Sequence, residues 1–327
     1  MKIKTKAKLF VVFLALVIAI PMAAVGCQEA GKPPTEAPAV GNLSSTLVPN
    51  MNLDIYVYIK QDRPTSLPSA MINAPVDISV ESLAVWGVST EDDLAFGGAL
   101  TITEAGQAAE VHSQIKASRG IWSKLSGNII YVVWGSSTAA ESLKRAVTSN
   151  DFKYYDDEKG LRAIGALPDG GTTRLAGVAV VKPSKTLIGY IARSTDNKDL
   201  GMVNTLVSTA RLDVIAAGLH APDQIDVTRL AGVIESGGDI SQLDLGILVL
   251  LKSGLPGFIV EPALKKLLTE AEFTERGLGE LTVYHRPLDT GGGQAIPLLI
   301  RIEDNRIYGV ISGSESYAKT LITGINQ

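Results

Sequence analysis

The sequence predicts an α+β protein: two related halves of mainly antiparallel sheet with helices packed on one face. Three observations lead to this fold class. Short segments rich in β-branched and aromatic residues alternate with tight turns, and strands joined by short turns pair antiparallel. Segments with helix-capping residues separate the groups of strands. An internal repeat also runs through the chain. We expect the first half to cover residues 47–205 and the second to cover residues 206–327.

The repeat consists of short matches that keep their order along the chain. Residues Ile72–Ala84 resemble Leu219–Ala231, with 6 of 13 positions identical at an offset of 147. Residues 143–152 resemble residues 264–273 at an offset of 121. The difference between the offsets gives the first copy 26 extra residues. A single duplication, followed by growth of the first copy, accounts for this order.

The N-terminus has the layout of a secretory signal peptide. Residues 2–8 contain four lysines and no acid, Leu9–Ile20 is an unbroken apolar run, and Ala23–Gly26 contains only small residues and valine. The alternative is an uncleaved transmembrane helix. Leu9–Val25 has only 17 residues and includes Pro21, whereas a span needs about 20 apolar residues. The sequence therefore favours a signal peptide over residues 1–26.

The segment Ala24-Val25-Gly26-Cys27 resembles the lipobox of bacterial lipoproteins. In that class the signal peptide is cut before the cysteine, and the cysteine thiol carries diacylglycerol. The resemblance implies a lipid anchor on Cys27, with an acyl group such as palmitate, and a location on the exported face of the cell membrane. Two acyl chains make such anchoring stable, whereas one is marginal. The resemblance covers only residues 1–27.

Charge and cysteine content exclude several classes of function. Removal of the four signal-peptide lysines leaves 26 basic against 34 acidic residues, a net charge of −8. This balance argues against a nucleic-acid partner, which needs a basic surface, and against electrostatic adhesion to anionic lipid. Cys27 is the only cysteine. Once it is lipidated, the mature domain has no thiol for a disulfide, a metal or a nucleophile.

Residues 27–46 are predicted to form a disordered tether. They contain Pro33, Pro34 and Pro38 among small and polar residues, without periodic apolar positions. A flexible chain with the 18 residues of Gln28–Ser45 spans roughly 20–25 Å.

The first half is predicted to alternate strands and helices in a set order. Strands are expected at Leu53–Lys60, Ser82–Ser89, Leu94–Ile102 and Ile129–Trp134, and near 161–167, 174–181 and 187–192. Asp62–Met71 has the composition of a turn. Helices are expected from Thr103 to about Ser118, from the capping box of Thr138 and Glu141 to about Ser149, and near 197–210.

The second half shows the pattern more cleanly. Strands are expected at Arg229–Glu235, Leu243–Leu251, Leu278–His285, Ile296–Glu303 and Ile307–Ser312. Asp304-Asn305 is predicted to form a tight hairpin turn. One helix is expected with Pro262 in its first turn and an end near Glu272. Ser314 is predicted to cap a closing helix that runs to about Ile325.

The residues that catalyse reactions or bind metals in other proteins form no convincing set. His112, His220 and His285 are the only histidines, and none has a second histidine four positions on. We therefore interpret them as unrelated and assign no metal site. Two S-x-x-K matches, Ser113 to Lys116 and Ser316 to Lys319, lack the S-D-N and K-T-G partners of penicillin-recognising enzymes. Solvated helix faces explain both.

Three further motifs have simple structural explanations. Asp289–Gly293 is rich in glycine, but strand residues follow it, so we predict a hairpin loop rather than a phosphate loop. Tyr154–Glu158 is acidic but lacks the spacing of a calcium loop, which favours a solvated turn. Trp86, Trp122 and Trp134 lie on or beside predicted strands, where we expect them to pack in a core.

The function that fits these observations is a non-catalytic binding or interaction role in a membrane-anchored envelope lipoprotein. We assign no catalytic residue, cofactor or metal ligand, and enzymatic activity is left open with a preference against it. The membrane is one partner through Cys27; the other is an unknown protein or small molecule. The alternatives are an envelope hydrolase and a solute-binding protein of a transporter. A hydrolase needs a nucleophile about 3 Å from a base, and a solute-binding protein usually has parallel βαβ units.

Overall fold

The computed structural model describes residues 43–67, 78–117, 121–135, 137–168, 174–194, 211–221, 246–289 and 295–326. The helices are α1 (Ala105–Ala117), α2 (Thr138–Thr148), α3 (Glu158–Ile164), α4 (Lys185–Ser194), α5 (Gly257–Glu270) and α6 (Glu315–Thr323). The strands are β1 (Leu47–Pro49), β2 (Ile55–Leu67), β3 (Ile78–Ser89), β4 (Leu94–Ile102), β5 (Ile121–Ser126), β6 (Ile129–Trp134), β7 (Phe152–Tyr154), β8 (Arg174–Val181), β9 (Leu212–Ala221), β10 (Gly246–Ser253), β11 (Thr274–Leu278), β12 (Leu281–Asp289), β13 (Ala295–Glu303) and β14 (Arg306–Ser312). The signal peptide, Cys27, most of the tether, the helix predicted near 197–210 and the strand predicted at Arg229–Glu235 lie outside the described residues.

The α+β class with mainly antiparallel strands is confirmed. The chain forms two compact units. Unit 1 contains the described residues of 43–156 together with 184–194, and unit 2 contains those of 157–183, 211–221 and 246–326. The division into halves at residue 205, and the duplication behind it, stay predictions.

The sheet of unit 1 has the strand order β2-β3-β4-β6-β5, with antiparallel pairing throughout. Strands β1 and β7 form a separate antiparallel pair. Helix α1 covers one face of the five-stranded sheet, where Ala108 packs with Ile102, Ile130 and Val132. These strand residues alternate with neighbours that point to the opposite face.

That opposite face of unit 1 is apolar as well. Trp86 is fully buried there, and its ring lies 6.3 Å from that of Tyr131 and 6.1 Å from that of Phe152. Lys124 is the cross-strand neighbour of Tyr131 and reaches the C-terminus of α2, so α2 lies on this side. The helices of unit 1 therefore occupy both faces, where the sequence analysis expected one. The reason is that both faces of β6 carry apolar side chains, and each must be covered.

The sheet of unit 2 has the strand order β8-β9-β10-β14-β13-β12-β11, again antiparallel. Helix α5 packs Val260 and Leu264 against Ile307. Helix α6 lies on the other face, where Leu321 sits directly over Gly246. Strand β10 explains this arrangement, because its apolar run buries side chains on both faces.

Two segments predicted as strands are helices. Residues near 161–167 belong to α3, and residues near 187–192 belong to α4. In the first, Gly160, Ala163, Ile164 and Leu167 are buried, which is the i, i+3, i+4, i+7 spacing of a helix face. In the second, the Ser184 hydroxyl accepts a hydrogen bond from the Leu187 amide at 3.1 Å and begins the helix.

Other boundaries were predicted with mixed success. Ser137, not Thr138, caps α2, and its hydroxyl accepts from the Ala140 amide. Pro262 lies inside α5, which begins at Gly257, rather than in its first turn. The cap at Ser314 is confirmed by a 3.3 Å bond from the Tyr317 amide to the Ser314 hydroxyl. The hairpin turn between β13 and β14 is also confirmed.

Candidate functional site

The three histidines lie on three different secondary-structure elements of the described structure. His112 is on α1 of unit 1, whereas His220 and His285 are on β9 and β12 of unit 2. Three strands separate β9 from β12 in the sheet, so these two imidazoles are about 19 Å apart at the usual strand spacing. His220 is fully buried. Within the described residues, no group of three or more His, Cys, Asp or Glu side chains is placed to hold a metal ion.

His285 belongs to a charged cluster that the sequence analysis did not foresee. Lys319 Nζ lies 3.0 Å from Glu315 Oε1, and Arg276 Nη1 lies 3.6 Å from the same oxygen. The hydrogen bond and charge of Lys319, followed by Arg276 and His285, lower the pKa of Glu315. Partial burial, then the charges of Arg276 and Lys319, lowers the pKa of His285, while Glu315 opposes the shift. The cluster is thus an ion-pair network that favours a neutral imidazole.

Neither S-x-x-K pair is arranged as a nucleophile and its base. The Ser113 hydroxyl donates to the Glu110 carbonyl at 2.7 Å. Lys319 Nζ pairs with the Glu315 carboxylate at 3.0 Å, so this side chain is engaged in an ion pair.

The glycine-rich segment joins two antiparallel strands. Asp289, at the end of β12, pairs with Ala295 at the start of β13, so a strand follows the loop, as predicted. Residues 290–294 lie outside the described part. The three tryptophans, all predicted to pack in a core, differ in burial: Trp86 is in the core, Trp122 is half-buried and Trp134 is 37 % exposed.

A chain of hydroxyl groups in unit 1 was not anticipated. Asp54 Oδ2 accepts from both the amide and the hydroxyl of Ser89, each at 2.7 Å. The Ser89 hydroxyl also lies 2.8 Å from that of Thr186, which lies 2.9 Å from that of Ser184. Because Ser184 caps α4, this chain fixes the start of the helix to the end of β3. Its role is structural.

Two exposed large apolar side chains lie at the start of α5. Phe258 is 79 % exposed and Ile259 is 48 % exposed. The helix predicted from the sequence has Pro262 in its first turn. Phe258 and Ile259 therefore fell in a segment to which no structure was assigned. A Pro-Gly pair followed by Phe-Ile-Val was the available signal, since proline before a helix is a start signal.

A second exposed apolar pair lies in unit 1. Leu47 is 53 % exposed, Tyr154 is 64 % exposed, and the two are cross-strand neighbours in the β1–β7 pair. Carboxylates of Asp151 and Asp156 accompany them: Asp151 accepts from Asn50, and Asp156 pairs with Lys153. This surface is therefore apolar, with two carboxylates and one lysine beside it.

Comparison with known proteins gives distant structural matches. No protein-family description matches the chain, and no characterised protein matches its sequence significantly. Crystal forms III and I of TP0453 each match with a TM-score of 0.33 and 12 % identity, covering 88 % and 89 % of this chain. Crystal form IV matches with a TM-score of 0.36 and 12 % identity, covering 85 % of this chain. Each match covers 98 % of the TP0453 chain. These values are too low to establish a shared fold or function. No helix among the described residues has the length and apolar character needed to cross a membrane.

Proposed function

We propose that this chain is a membrane-anchored envelope lipoprotein whose body has a non-catalytic binding or interaction role. The observation that carries the proposal is the order of the N-terminal features: a lysine-rich segment, an apolar run, small residues, and Cys27 as the only cysteine. That order gives an exported protein with one thiol placed for lipidation.

The start of the folded body supports a tethered arrangement. Leu43 is fully buried, and the Thr46 hydroxyl accepts a 2.6 Å hydrogen bond from Tyr56. The chain is thus fixed in unit 1 from Leu43 onward, and residues 28–42 remain as the tether. A flexible chain of this length spans roughly 20 Å, which would keep the body near the bilayer.

The preference for binding over catalysis rests on the side chains that could react. Lys319 forms an ion pair with Glu315. Partial burial, followed by the charges of Arg276 and Lys319, lowers the pKa of His285 and disfavours its protonation. The antiparallel sheets also differ from the parallel βαβ units usual in solute-binding proteins. Neither alternative gains support from these observations.

Mass spectrometry and fractionation test the anchor. The full chain, expressed in a bacterium, is expected to reach the membrane fraction with an acylated Cys27 at its N-terminus. A C27S variant is expected to lose the acyl mass. A wild-type protein that keeps residues 1–26, or that carries no lipid on Cys27, would contradict the proposal. Cross-linking in cells then tests the binding role, and failure to capture any partner or ligand would count against it.

A further inference from the structure

We propose that the start of α5 is a second membrane contact, which inserts apolar side chains into a bilayer containing anionic lipid. The contact, called here the α5 tip, consists of Phe258, Ile259, Lys252, Arg211 and Arg306. All five side chains are exposed, and all belong to unit 2. This inference rests on the proposed function, because the lipid anchor on Cys27 brings the body to the bilayer.

The apolar part of the tip protrudes from a rigid support. Gly257 approaches Asp304 so closely that a Cβ at Gly257 would lie 2.7 Å from the Asp304 Cα. The Ser253 amide donates to the Asn305 carbonyl at 2.8 Å, and the Asn305 side chain donates back to the Ser253 carbonyl at 3.1 Å. Phe258 and Ile259 therefore extend from a turn that is bonded to the β13–β14 hairpin.

Basic side chains lie at the strand ends that adjoin the start of α5. Lys252 and Arg306 are direct cross-strand neighbours on β10 and β14, and like charges in that position destabilise a sheet in water. The Gly254 amide donates to the Arg211 carbonyl at 2.9 Å, which adds a third cation. Nearby acids reduce the net positive charge of this group, since Asp213 pairs with Lys159 and Asp304 adjoins Arg306. An anionic surface would relieve the repulsion between Lys252 and Arg306.

The first turn of α5, like those of α1 and α4, carries no acidic residue. Helices α2, α3 and α6 carry Glu141, Glu158 and Glu315 in their first turns, where acids favour the helix dipole. Helix α5 has no acid there, and exposed apolar residues stand at these positions. Such side chains, next to cations, suit the interface between lipid head groups and acyl chains.

Tethering and charge favour a bilayer over other partners for this tip. A tether that spans roughly 20 Å keeps the bilayer at high effective concentration. The Leu47–Tyr154 pair is accompanied by two carboxylates and one lysine rather than by a group of cations, so anionic lipid would gain no charge attraction at that surface. The mature net charge of −8 opposes general adhesion, and it therefore favours contact through one limited patch.

A thiol-specific probe tests the tip directly. Because Cys27 is acylated in the lipoprotein, an F258C variant has one free thiol for an environment-sensitive fluorophore. E270C, at the exposed far end of the same helix, is the matched control. Each labelled lipoprotein is reconstituted into vesicles with about 30 % phosphatidylglycerol in phosphatidylcholine. We expect blue-shifted emission at position 258, with quenching by nitroxide-labelled lipids several-fold greater than at position 270. The K252Q/R211Q substitutions should reduce the difference in quenching between positions 258 and 270. Vesicles without anionic lipid should reduce it as well.

Two outcomes would overturn the inference. One is equal and weak quenching at both positions. The other is photo-cross-linking from a benzophenone at position 258 to a second copy of the chain rather than to lipid. Failure of the anchor itself is distinguishable, because the mass spectrum would lack the acyl group before any probe is attached.

Discussion

Asn150 and Glu272 occupy equivalent positions at the C-termini of α2 and α5, and both have a left-handed backbone, with φ values of 55° and 63°. The hydrogen bonds around them match. The Asp151 amide donates to the Ala146 carbonyl, and the Phe273 amide donates to the Leu268 carbonyl, each at 2.9 Å. This is the Schellman pattern of helix ends. The two caps lie 122 residues apart, whereas segments 143–152 and 264–273 match at an offset of 121, so the two helices end alike but one residue out of register with the sequence match.

Replacing Glu272 with glycine is expected to stabilise the protein. A left-handed conformation costs a residue with a side chain about 1–2 kcal/mol, and glycine avoids that cost. We expect E272G to raise the free energy of unfolding by about 1 kcal/mol in chemical denaturation. N150G is the matched control and should give no gain, because asparagine tolerates this conformation and Asn150 Oδ1 accepts a bond from Lys124. A loss of stability in E272G would contradict the prediction.

Lys124 stabilises the end of α2. Its ammonium group donates to the carbonyls of Val147 and Thr148 at 2.9 and 3.3 Å. A cation at this end also favours the helix dipole. We expect K124M to lower the free energy of unfolding by about 1 kcal/mol. K266M removes an exposed lysine whose partner Glu270 lies 3.9 Å away, and it should change stability by less than about 0.5 kcal/mol. Equal effects of the two substitutions would show that Lys124 does not act as a cap.

Asp54 is expected to hold α4 in place. D54A leaves the amide and hydroxyl of Ser89 without their shared acceptor, and the loss of bonds to a charged acceptor costs about 1.5–3 kcal/mol. Thermal unfolding of D54A should show this loss, whereas D92A, at an exposed turn, should resemble the wild type. An unchanged unfolding temperature in D54A would mean that the hydroxyl chain adds no stability.

His285 predicts a loss of stability in mild acid. Its folded-state pKa is lower than its unfolded value because of desolvation, Arg276 and Lys319. The unfolded state therefore binds the proton more readily, and stability falls as the pH drops through about 6.5. Glu315, whose pKa is also lowered, adds to the loss at more acidic pH. Denaturation at pH 7.5 and pH 5.5 should show a smaller fall for H285Q than for the wild type, because His112 and His220 are common to both. An identical fall would contradict this role.

Sequence patterns predicted strands well where polar and apolar residues alternate and turns are short. The β13–β14 hairpin is an example, because Arg301 and Glu303 alternate with Ile300 and Ile302. The same reasoning failed for α3, because a helix of only seven residues shows barely two turns of periodicity. It failed for α4 because Ile188, Gly189 and Tyr190 favour strands or turns locally, and the Ser184 cap became evident only with its bond to Leu187.

The candidate sites were less predictable than the fold. The cluster of Arg276, His285 and Glu315 joins residues from two strands and a helix, and their proximity depends on register. The exposure of Phe258 depends on where α5 begins. Apolar residues near a proline could equally have been buried in the core, so sequence alone does not distinguish an exposed tip from a packed one.

The path of the chain between the two units has a consequence for the order in which the polypeptide can fold. Unit 1 includes α4, which follows Lys182 and Pro183 of unit 2 and is fixed by Asp54 and Ser89 through Thr186. Synthesis proceeds from the N-terminus, so the first unit stays incomplete until residues 184–194 have been made. A truncation after Asp156 would therefore release an unfinished unit rather than a domain.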